Sequence, residues 1–372
     1  MTSRSPALGA APPAHPSAPE IALDLRDLVK KFGSVTAVDG VSLAVGRGEF
    51  VTLLGPSGSG KTTILRIVAG FEQPTSGSVL LDETDISDRS PAERGIGVVF
   101  QHYALFPHMT VAENVRYPLK LRRWSRAQAA ERVREALALV RLEHVADRSP
   151  KQLSGGQQQR IALARALAFH PRLLLMDEPL GALDRALRLE MEEEIRRIHR
   201  ESGATVVYVT HDQEEALTLS DRIGIMRDGS LLQVGAPEKL FEGPADDFVA
   251  TFFGACTLIP VDDAADAGDG HARVRVLGQE QVLRTSGPLR STAAQVAVRP
   301  TRFRLTPEPG DVLVPAKVVD VLYLGETSRL LCHHETVGEV LVRTDPRLAR
   351  GLAPGARITL AFRADDAVLV PA

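Results

Sequence analysis

The sequence has little cysteine: Cys256 and Cys332 are the two present among 372 residues. Their separation matches neither a metal-site spacing nor a disulfide framework, so we expect small buried apolar side chains in a reducing cytosol. Long apolar runs are also lacking, since the strongest, RLLLMD at 172–177, is far shorter than the roughly 18 residues of a membrane span. Positive charge is not in excess, and the net charge of −3 disfavours nucleic acid as a partner.

The chain is long enough for two domains. Residues 1–20 are rich in Pro, Ala and Ser and lack the features of a secretory signal, so we expect a disordered tail. From Ile21 onward strand patterns alternate with helix patterns, which favours a mainly parallel sheet covered on both faces. Near Phe253 the pattern changes to short strand candidates separated by Pro and Gly, with residues 265–270 expected to form a loop. The second domain is therefore predicted to be a small β-barrel or sandwich.

Several elements of the first domain can be predicted from periodicity. Residues 126–142 and a long amphipathic segment starting at Arg185 both read as helices, and Gly203 suits the end of the second. The charged run EMEEE at 190–194 is expected to be a solvated helix face. Residues 222–235 predict a hairpin that turns at Asp228 and Gly229.

A glycine-rich segment between a predicted strand and a predicted helix satisfies the pattern G-x-x-x-x-G-K-[ST]. Its backbone N–H groups can close around β- and γ-phosphates, Lys61 adds a positive charge, and the Thr62 hydroxyl can bind Mg²⁺. An ordinary glycine-rich turn is the alternative, and the strand–loop–helix context disfavours it. The candidate phosphate-binding residues are Gly55, Pro56, Ser57, Gly58, Ser59, Gly60, Lys61, Thr62 and Thr63.

Two carboxylates, Asp177 and Glu178, follow the apolar run at 173–176. A carboxylate at the end of a buried parallel strand points toward the crevice where nucleotides bind. We expect Asp177 to hold Mg²⁺ and Glu178 to polarise the attacking water. The alternative is a strand that ends in an acidic turn, with Pro179 preventing its continuation. The phosphate-loop motif elsewhere in the chain disfavours this alternative.

A second glycine-rich helix start lies at LSGGQ, residues 153–157. Helix N-termini attract anions, yet this helix begins elsewhere in the chain than the one after the phosphate loop. A head-to-tail pair of chains would resolve this, with Ser154, Gly155 and Gly156 of one chain closing over the nucleotide held by the other. Nucleotide hydrolysis would then remove the contact and open the pair.

With these motifs in this order, residues 21–254 resemble the ATP-binding subunits of ABC transporters, in which LSGGQ is the signature motif. The resemblance implies an α/β P-loop NTPase core of RecA-like type with a helical subdomain, and ATP and Mg²⁺ as cofactors. It also implies a homodimer or paired ATPase, two transmembrane permease subunits, indirect action with a periplasmic or extracellular solute-binding protein, and a place on the cytoplasmic face of the membrane. Gln157 then belongs to the nucleotide contacts of the signature.

The resemblance also implies roles for residues that mean little alone. Phe32 would stack on adenine, although a core Phe is an alternative, and Gln101 would reach Mg²⁺ and the attacking water, although a lone Gln is usually a solvated loop residue. His211 would contact the γ-phosphate, with a structural His as the alternative. Asp184 would face the opposite monomer or simply cap a helix. The family often has Ser where this chain has Gly181, which puts one side-chain hydrogen bond in doubt.

In the same family the segment after Gln101 lines the groove that receives a short helix of the membrane subunit. Each candidate could instead be core of the helical subdomain. The candidate docking residues are Tyr103, Leu105, Phe106, Pro107 and Met109.

Residues 255–372 resemble the OB-like, all-β TOBE domain of importer ATPases, through VAVRPTRFRL at 296–305 and VVDVLYLGETSRLL at 318–331. The junction at 231–260 is similar to the spermidine/putrescine group, which makes a polyamine the favoured solute and ferric iron, a sugar or another small solute the alternatives. A soluble ABC ATPase of DNA repair or translation is a competing hypothesis, but the chain has neither long insertions nor a second cassette. A non-enzymatic regulatory module is disfavoured because Lys61, Asp177 and Glu178 are intact.

Overall fold

The computed structural model describes residues 20–101, 104–181, 183–287 and 294–371. Nearly all of the predicted tail, and Tyr103 of the candidate docking set, therefore lie outside the described residues. The elements up to residue 254 are β1 (Ile21–Phe32), β2 (Val35–Gly46), β3 (Phe50–Leu54), α1 (Lys61–Ala69), β4 (Ser76–Leu81), β5 (Thr84–Asp85), β6 (Ile96–Val99), α2 (Val111–Leu121), α3 (Arg126–Leu139), α4 (Gly155–Leu167), β7 (Leu173–Asp177), α5 (Arg185–Ser202), β8 (Val206–Thr210), α6 (Gln213–Leu219), β9 (Arg222–Arg227), β10 (Ser230–Gly235), α7 (Pro237–Glu242) and α8 (Asp247–Phe252).

The central sheet has the strand order β10-β9-β3-β8-β7-β6. All of these strands run parallel except β10, which closes the predicted hairpin with β9. Every residue of β3 and β8 is buried, as expected for parallel strands covered on both faces. The carboxyl ends of β3, β7 and β8 meet at one edge, so the segments after Leu54, Asp177 and Thr210 converge there.

A second sheet, with order β2-β1-β4-β5, is antiparallel and separate from the central sheet. Sequence periodicity predicts strands at β1 and β2 but not this division into two sheets. The hairpin between β1 and β2 pairs Phe32 with Val35 at its turn. Because β2 also contacts the end of the β9–β10 hairpin through a hydrogen bond from Asp39 N to Gly229 O, this sheet lies beside the phosphate loop.

The helical subdomain is built from α2, α3 and α4, whose apolar faces share one core that includes Val115, Val133 and Leu163. Helix α3 ends at Leu139, earlier than the predicted Leu142, because Val140 is its C-cap and Arg141 has a φ of +56°. Helix α5 follows its prediction and ends at Gly203, which has a φ of +61°. Within the described ranges, every helix is too short or too polar to cross a lipid bilayer.

The C-terminal part is predominantly β-structure, in agreement with the prediction. Its elements are β11 (Thr257–Gly268), β12 (His271–Val276), β13 (Gln279–Thr285), β14 (Ala294–Val298), β15 (Val312–Tyr323), β16 (Ser328–His334), β17 (Gly338–Thr344), α9 (Pro346–Ala349), β18 (Arg357–Phe362) and β19 (Ala367–Pro371).

Strands of this part form a closed barrel, β11-β12-β13-β19-β14, and a four-stranded sheet, β17-β16-β15-β18. Both contribute to one apolar core, which contains Val296, Phe303, Leu360 and the buried Cys332. The prediction of a loop at 265–270 is wrong for residues 265–268, because β11 continues to Gly268 and pairs with β12. Pairing to a neighbouring strand holds these small polar residues extended, which their own propensity does not predict.

Arg299 directly follows β14 and connects the C-terminal part to α7 and α8 of the first part. Its guanidinium donates to the carbonyls of Phe241, Ala250 and Gly254, and the residue is 9% exposed. These carbonyls lie at or near the ends of α7 and α8, where a cation is favourable. The junction thus combines a buried arginine with an apolar cluster that contains Ala250, Ala297, Val368 and Val370.

Candidate functional site

The phosphate loop runs from Gly55 to Gly60, between β3 and α1. Lys61 is 5% exposed, and its Nζ donates to the carbonyls of Gly55 and Pro56, both at 2.8 Å. Burial lowers the pKa of Lys61, while the nearby carboxylates of Glu178 and Asp177 act in the opposite direction. The loop is therefore closed around its own lysine, which holds a positive charge at the centre.

Two glycines of this loop are needed where the loop meets neighbouring strands. A Cβ on Gly55 would lie 2.3 Å from Met226 O on β9, and one on Gly60 would lie 2.3 Å from Ala37 O on β2. Gly60 also has a φ of +97°. Because Gly60 is the N-cap of α1 and offers no side-chain acceptor, the first N–H groups of α1 are left for an anion.

The remaining loop residues are split between buried and open positions. Ser59 is 3% exposed, and its Oγ accepts a bond from Lys61 Nζ at 3.3 Å. Thr63 is partly buried on α1. The open side of the loop is formed by Pro56, Ser57 and Gly58.

The carboxylate at the end of β7 contacts the first turn of α1, directly after this loop. Thr62 Oγ1 lies 3.0 Å from Asp177 Oδ1, so a hydroxyl and a carboxylate from separate elements face one point. Burial is the main reason that the pKa of Asp177 is raised, and the hydrogen bond from Thr62 partly offsets it. A nearby cation would relieve this cost, since it favours the charged carboxylate.

Glu178 occupies an unusual backbone conformation at the same edge. Its φ is +43°, which is uncommon for a residue with a side chain. Its N–H donates to Val209 O at 2.9 Å, and its carbonyl accepts from Gly181 N at 3.2 Å. These bonds hold the strained residue in place, and such strain clusters at functional sites.

Gln101 and His211 lie near Glu178. His211 Nδ1 is 3.1 Å from Glu178 Oε1. A Cβ built on Gly181 would lie 3.6 Å from Gln101 Nε2 and 3.9 Å from Glu178 Cβ, so the exposed Gln101 amide and the Glu178 side chain both lie beside Gly181. The structure therefore brings together the side chains predicted to be catalytic: Gln101, Glu178 and His211.

The donors at this edge suit a hard cation. Thr62, Asp177 and Gln101 offer a hydroxyl, a carboxylate and an amide oxygen, and Mg²⁺ prefers oxygen ligands. The ranges that the structure describes contain no cluster of three or more His, Cys, Asp or Glu side chains suited to a metal. Mg²⁺ usually takes one or two protein ligands with water and substrate phosphates, so the residues present fit it.

The LSGGQ segment forms a second helix start, at α4. Ser154 Oγ accepts from Gln157 N at 3.3 Å, and Gln157 Oε1 accepts from Ser154 N at 3.1 Å, which completes a capping box. A Cβ on Gly156 would lie 2.8 Å from Leu187 on α5, whereas one on Gly155 would be 3.6 Å from Leu183. Among the described residues, no hydrogen bond or ion pair joins 153–157 to 55–63.

Two further predicted residues have definite surroundings. Phe32 is 47% exposed with Lys30 Nζ 4.7 Å from its ring centroid, so the core interpretation of this side chain is wrong. Asp184 caps α5, since its Oδ1 accepts from Leu187 N at 3.0 Å. This was the alternative anticipated for Asp184, and it leaves a further contact to a second chain as a prediction.

The candidate docking segment packs on α2. The Phe106 and Tyr117 ring centroids are 4.6 Å apart, and Leu105 is packed against the helical core. Met109 is half-buried and Pro107 is exposed. Asn114, which sequence reasoning missed, is fully buried and bonds the backbone of Phe106 at both N and O, so it shapes this segment.

The predicted solvated face at 190–194 is wrong for Glu192 and for Glu194, whose side chain is 13% exposed and pairs with Arg197. Glu192 is 4% exposed, whereas Glu190 and Glu193 are exposed. The prediction fails because α5 is buried on two faces. Its apolar stripe packs in the core, and the segment that follows β8 covers the face that carries Glu192. Glu192 lines a cavity of about 460 Å³ together with His211 and Asp212.

Comparison with known proteins agrees with this geometry. The family described as ABC transporter matches residues 38–181, and the family described as TOBE domain matches residues 296–370. The spermidine/putrescine import ATP-binding protein PotA of Chromobacterium violaceum is 44% identical, over 92% of this chain and 97% of its own length. An Fe(3+) ions import ATP-binding protein of Rhizobium meliloti is 43% identical, over 93% of this chain and 96% of its own length.

Solved structures match the cassette part. The protein cbiO1 of Clostridium perfringens, part of an ABC transporter complex, has a TM-score of 0.56 and 28% identity, covering 60% of this chain and 91% of its own. A bacterial ABC transporter cassette solved as a dimer has a TM-score of 0.51 and 37% identity, covering 57% of this chain and 98% of its own. The chain therefore belongs to the ATP-binding proteins of the ABC transporter family.

Proposed function

We propose that this chain is the ATP-binding subunit of an ABC importer and that it hydrolyses ATP to drive uptake of a polyamine. One observation carries the catalytic part: the buried Lys61 and the carboxylates of Asp177 and Glu178 converge at the carboxyl edge of the sheet. The names of the full-length relatives support the importer role. Residues 21–254 form the ATPase domain and 255–372 the TOBE-like domain in this proposal.

Each residue of the site has a task in this reaction. Lys61 and the first N–H groups of α1 bind the β- and γ-phosphates, and Phe32 stacks on adenine. Thr62, Asp177 and Gln101 would hold Mg²⁺, which supplies charge neutralisation to the phosphates when bound. Glu178 accepts a proton from the attacking water, and His211 orients the Glu178 carboxylate and contacts the γ-phosphate.

The site is completed by a second chain. Ser154 is exposed and Gly155 is half-buried without a side chain, so the N-terminus of α4 is open to a phosphate held by a partner. The dimeric state of the similar cassette supports a head-to-tail pair. Asp184 would then contact the opposite monomer from its position at the start of α5.

Two membrane permease subunits complete the transporter, with this chain on the cytoplasmic face. The half-buried Phe106 and the exposed Pro107 form the surface that receives a permease helix. A solute-binding protein delivers the solute on the other side. A polyamine is favoured over ferric iron because several relatives at 42–45% identity are named for spermidine and putrescine.

Reconstitution tests the proposal. The chain is assembled with two permeases in vesicles, and ATP hydrolysis and labelled uptake are measured with binding proteins loaded with spermidine, putrescine, ferric iron or a sugar. We expect stimulation by the polyamine-loaded proteins, with Glu178→Gln as the inactive control. If only the binding protein loaded with ferric iron stimulates hydrolysis and uptake, the transported solute is ferric iron and not a polyamine. If none of the loaded binding proteins stimulates them, the importer role is overturned.

A further inference from the structure

We propose that Arg188 is a positioning residue that joins the loop at 183–184 to the loop at 211–212 within one chain. The inference rests on the proposed ATPase function. It concerns a side chain on the second turn of α5 that touches neither the phosphate loop nor the carboxylates of Asp177 and Glu178 among the hydrogen bonds and ion pairs of the described residues.

The Arg188 guanidinium reaches groups from separate elements. One terminal nitrogen donates to Asp212 Oδ2 at 3.0 Å, and the other donates to Leu183 O at 3.3 Å. Its Nε lies 3.7 Å from Glu215 Oε1, an ion-pair distance. A planar guanidinium can make such directional bonds together, whereas a lysine ammonium is a single compact charge.

On one side of Arg188, the bonds lead to His211. Asp212 Oδ2 accepts from Arg188, while Asp212 Oδ1 accepts from Glu214 N at 2.8 Å and caps α6. The Asp212 N–H donates to Thr210 Oγ1 at 3.0 Å. Thr210 and Asp212, the residues on either side of His211, are therefore joined by a hydrogen bond, and the His211 ring faces Glu178.

On the other side, the bonds lead to the surfaces proposed to meet a second chain. Leu183 precedes Asp184, and Leu187 on the same turn of α5 contacts Gly156 of the α4 start. A shift of the 183–184 loop on dimer closure would be transmitted to Asp212 through two hydrogen bonds of one side chain. Arg188 thus connects the contact with the second chain to the orientation of His211.

The charges around Arg188 explain why this position needs a cation. Asp212, Glu215 and the buried Glu192 surround it, and Glu214 also lines the adjoining cavity. Tyr208 and Thr210 hydroxyls both donate to Glu215 Oε2, at 2.8 and 2.7 Å, which holds this carboxylate in place. Replacing Arg188 by a neutral side chain would leave these carboxylates without the guanidinium that pairs two of them, and Asp212 would lose its link to the carbonyl of Leu183.

Steady-state kinetics of the assembled transporter test the inference with Arg188→Met, Arg188→Lys, Asp212→Asn and the Arg188→Met/Asp212→Asn double variant. We expect Arg188→Met to lower kcat about tenfold or more while the KM for ATP changes less than about twofold, because ground-state nucleotide contacts are intact. Arg188→Lys should recover part of kcat. The double variant should lose little more than the stronger single variant, since both remove one interaction.

Arg196→Met, on the exposed face of the same helix, is the matched control and should keep wild-type kinetics. Thermal unfolding of each variant separates misfolding from mispositioning, and Arg188→Lys keeps the charge if Arg188→Met does not fold. A normal kcat in folded Arg188→Met, a change confined to KM, or fully additive losses in the double variant would each overturn the inference. If the wild type hydrolyses ATP and the variants give any of these contrary results, the inference about Arg188 fails and the proposed function stands. If the wild type does not hydrolyse ATP, the inference and the proposed function both fail.

Discussion

His211 and Glu178 form a side-chain pair between the ends of neighbouring parallel strands, with Nδ1 and Oε1 3.1 Å apart. Glu178 follows β7 and His211 follows β8, so the pair depends on the register of these strands, in which Asp177 pairs with Val209. The pair places a carboxylate with a fixed orientation beside the phosphate loop. This arrangement suits a group that orients and deprotonates water.

Glu178→Gln should abolish hydrolysis while ATP binding persists. The amide keeps the shape of the side chain but cannot accept a proton, and losses of general-base catalysis are about 10²- to 10⁴-fold. Because hydrolysis would separate the two chains, the variant should accumulate as an ATP-bound dimer, seen by light scattering with ATP and Mg²⁺. Only monomer under these conditions would contradict the two-chain site, and the wild type with ADP is the control.

Gly155→Ala should separate an interface effect from a folding effect. Within one chain the new Cβ would make an ordinary 3.6 Å contact to Leu183, and Ala is a better helix former than Gly by about 1 kcal/mol. The variant should therefore be as stable as the wild type. In the Glu178→Gln background, which is expected to accumulate the ATP-bound dimer, Gly155→Ala should abolish dimerisation, because a methyl group would stand where a partner's phosphate approaches.

Gly156→Ala is the comparison for this experiment. Its Cβ would lie 2.8 Å from Leu187 Cδ1, so the Leu187 side chain must rotate away, and thermal stability should be lower than that of Gly155→Ala. Thermal unfolding and light scattering distinguish the two variants. Full dimerisation of Gly155→Ala would indicate that no phosphate comes near this helix start.

Phe106→Glu should weaken docking to the permeases and leave nucleotide binding intact. Its ring is half-buried against Tyr117, and the charge would stand on the surface proposed to receive a membrane-subunit helix. Co-purification with permeases and uptake should both fall at least about tenfold, with ATP affinity unchanged. Leu348→Glu, 58% exposed on α9, is the control and should keep docking. Normal co-purification of folded Phe106→Glu would remove this segment from the interface.

The predicted phosphate-binding and catalytic residues share one property that sequence reveals: they follow strands whose type and direction can be predicted. Gly55, Glu178 and His211 each come after an apolar strand, so the parallel topology alone brings them to one edge. The signature helix start was also visible, because its capping box is local in sequence.

Arg188, Glu192 and Asn114 were not predicted because their surroundings come from distant elements. Glu192 belongs to a run of charges that would be solvated on an isolated helix, and only the packing of the segment after β8 buries it. Asn114 follows the Thr110–Glu113 capping box, a visible helix start, yet its bonds to Phe106 depend on a chain reversal that the pattern does not show.

Glu192→Gln should change the pH dependence of stability. Burial, reinforced by Glu215 and Asp212, raises the pKa of Glu192 from 4.5 to about 7, against the favourable charge of Arg188. Below about pH 4.5 the group is protonated in both folded and unfolded chains, and the stability linked to protonation is lost as the pH rises through about 7. Near pH 8 the carboxylate therefore destabilises the fold, by at most about 3 kcal/mol.

Glu192→Gln should accordingly raise the thermal unfolding midpoint by a few degrees near pH 8 and leave it nearly unchanged near pH 4, where Glu192 is mostly protonated in both the folded and the unfolded chain. Glu193→Gln, the exposed neighbour, should shift neither midpoint. Equal pH dependence in Glu192→Gln and the wild type would mean that Glu192 titrates near its ordinary pKa, and that Arg188 and local water compensate the charge in full. The same variant with ATP present also reports on the cavity beside His211. If the carboxylate serves only to surround Arg188, the amide should preserve kcat, because it keeps the shape and size of the side chain.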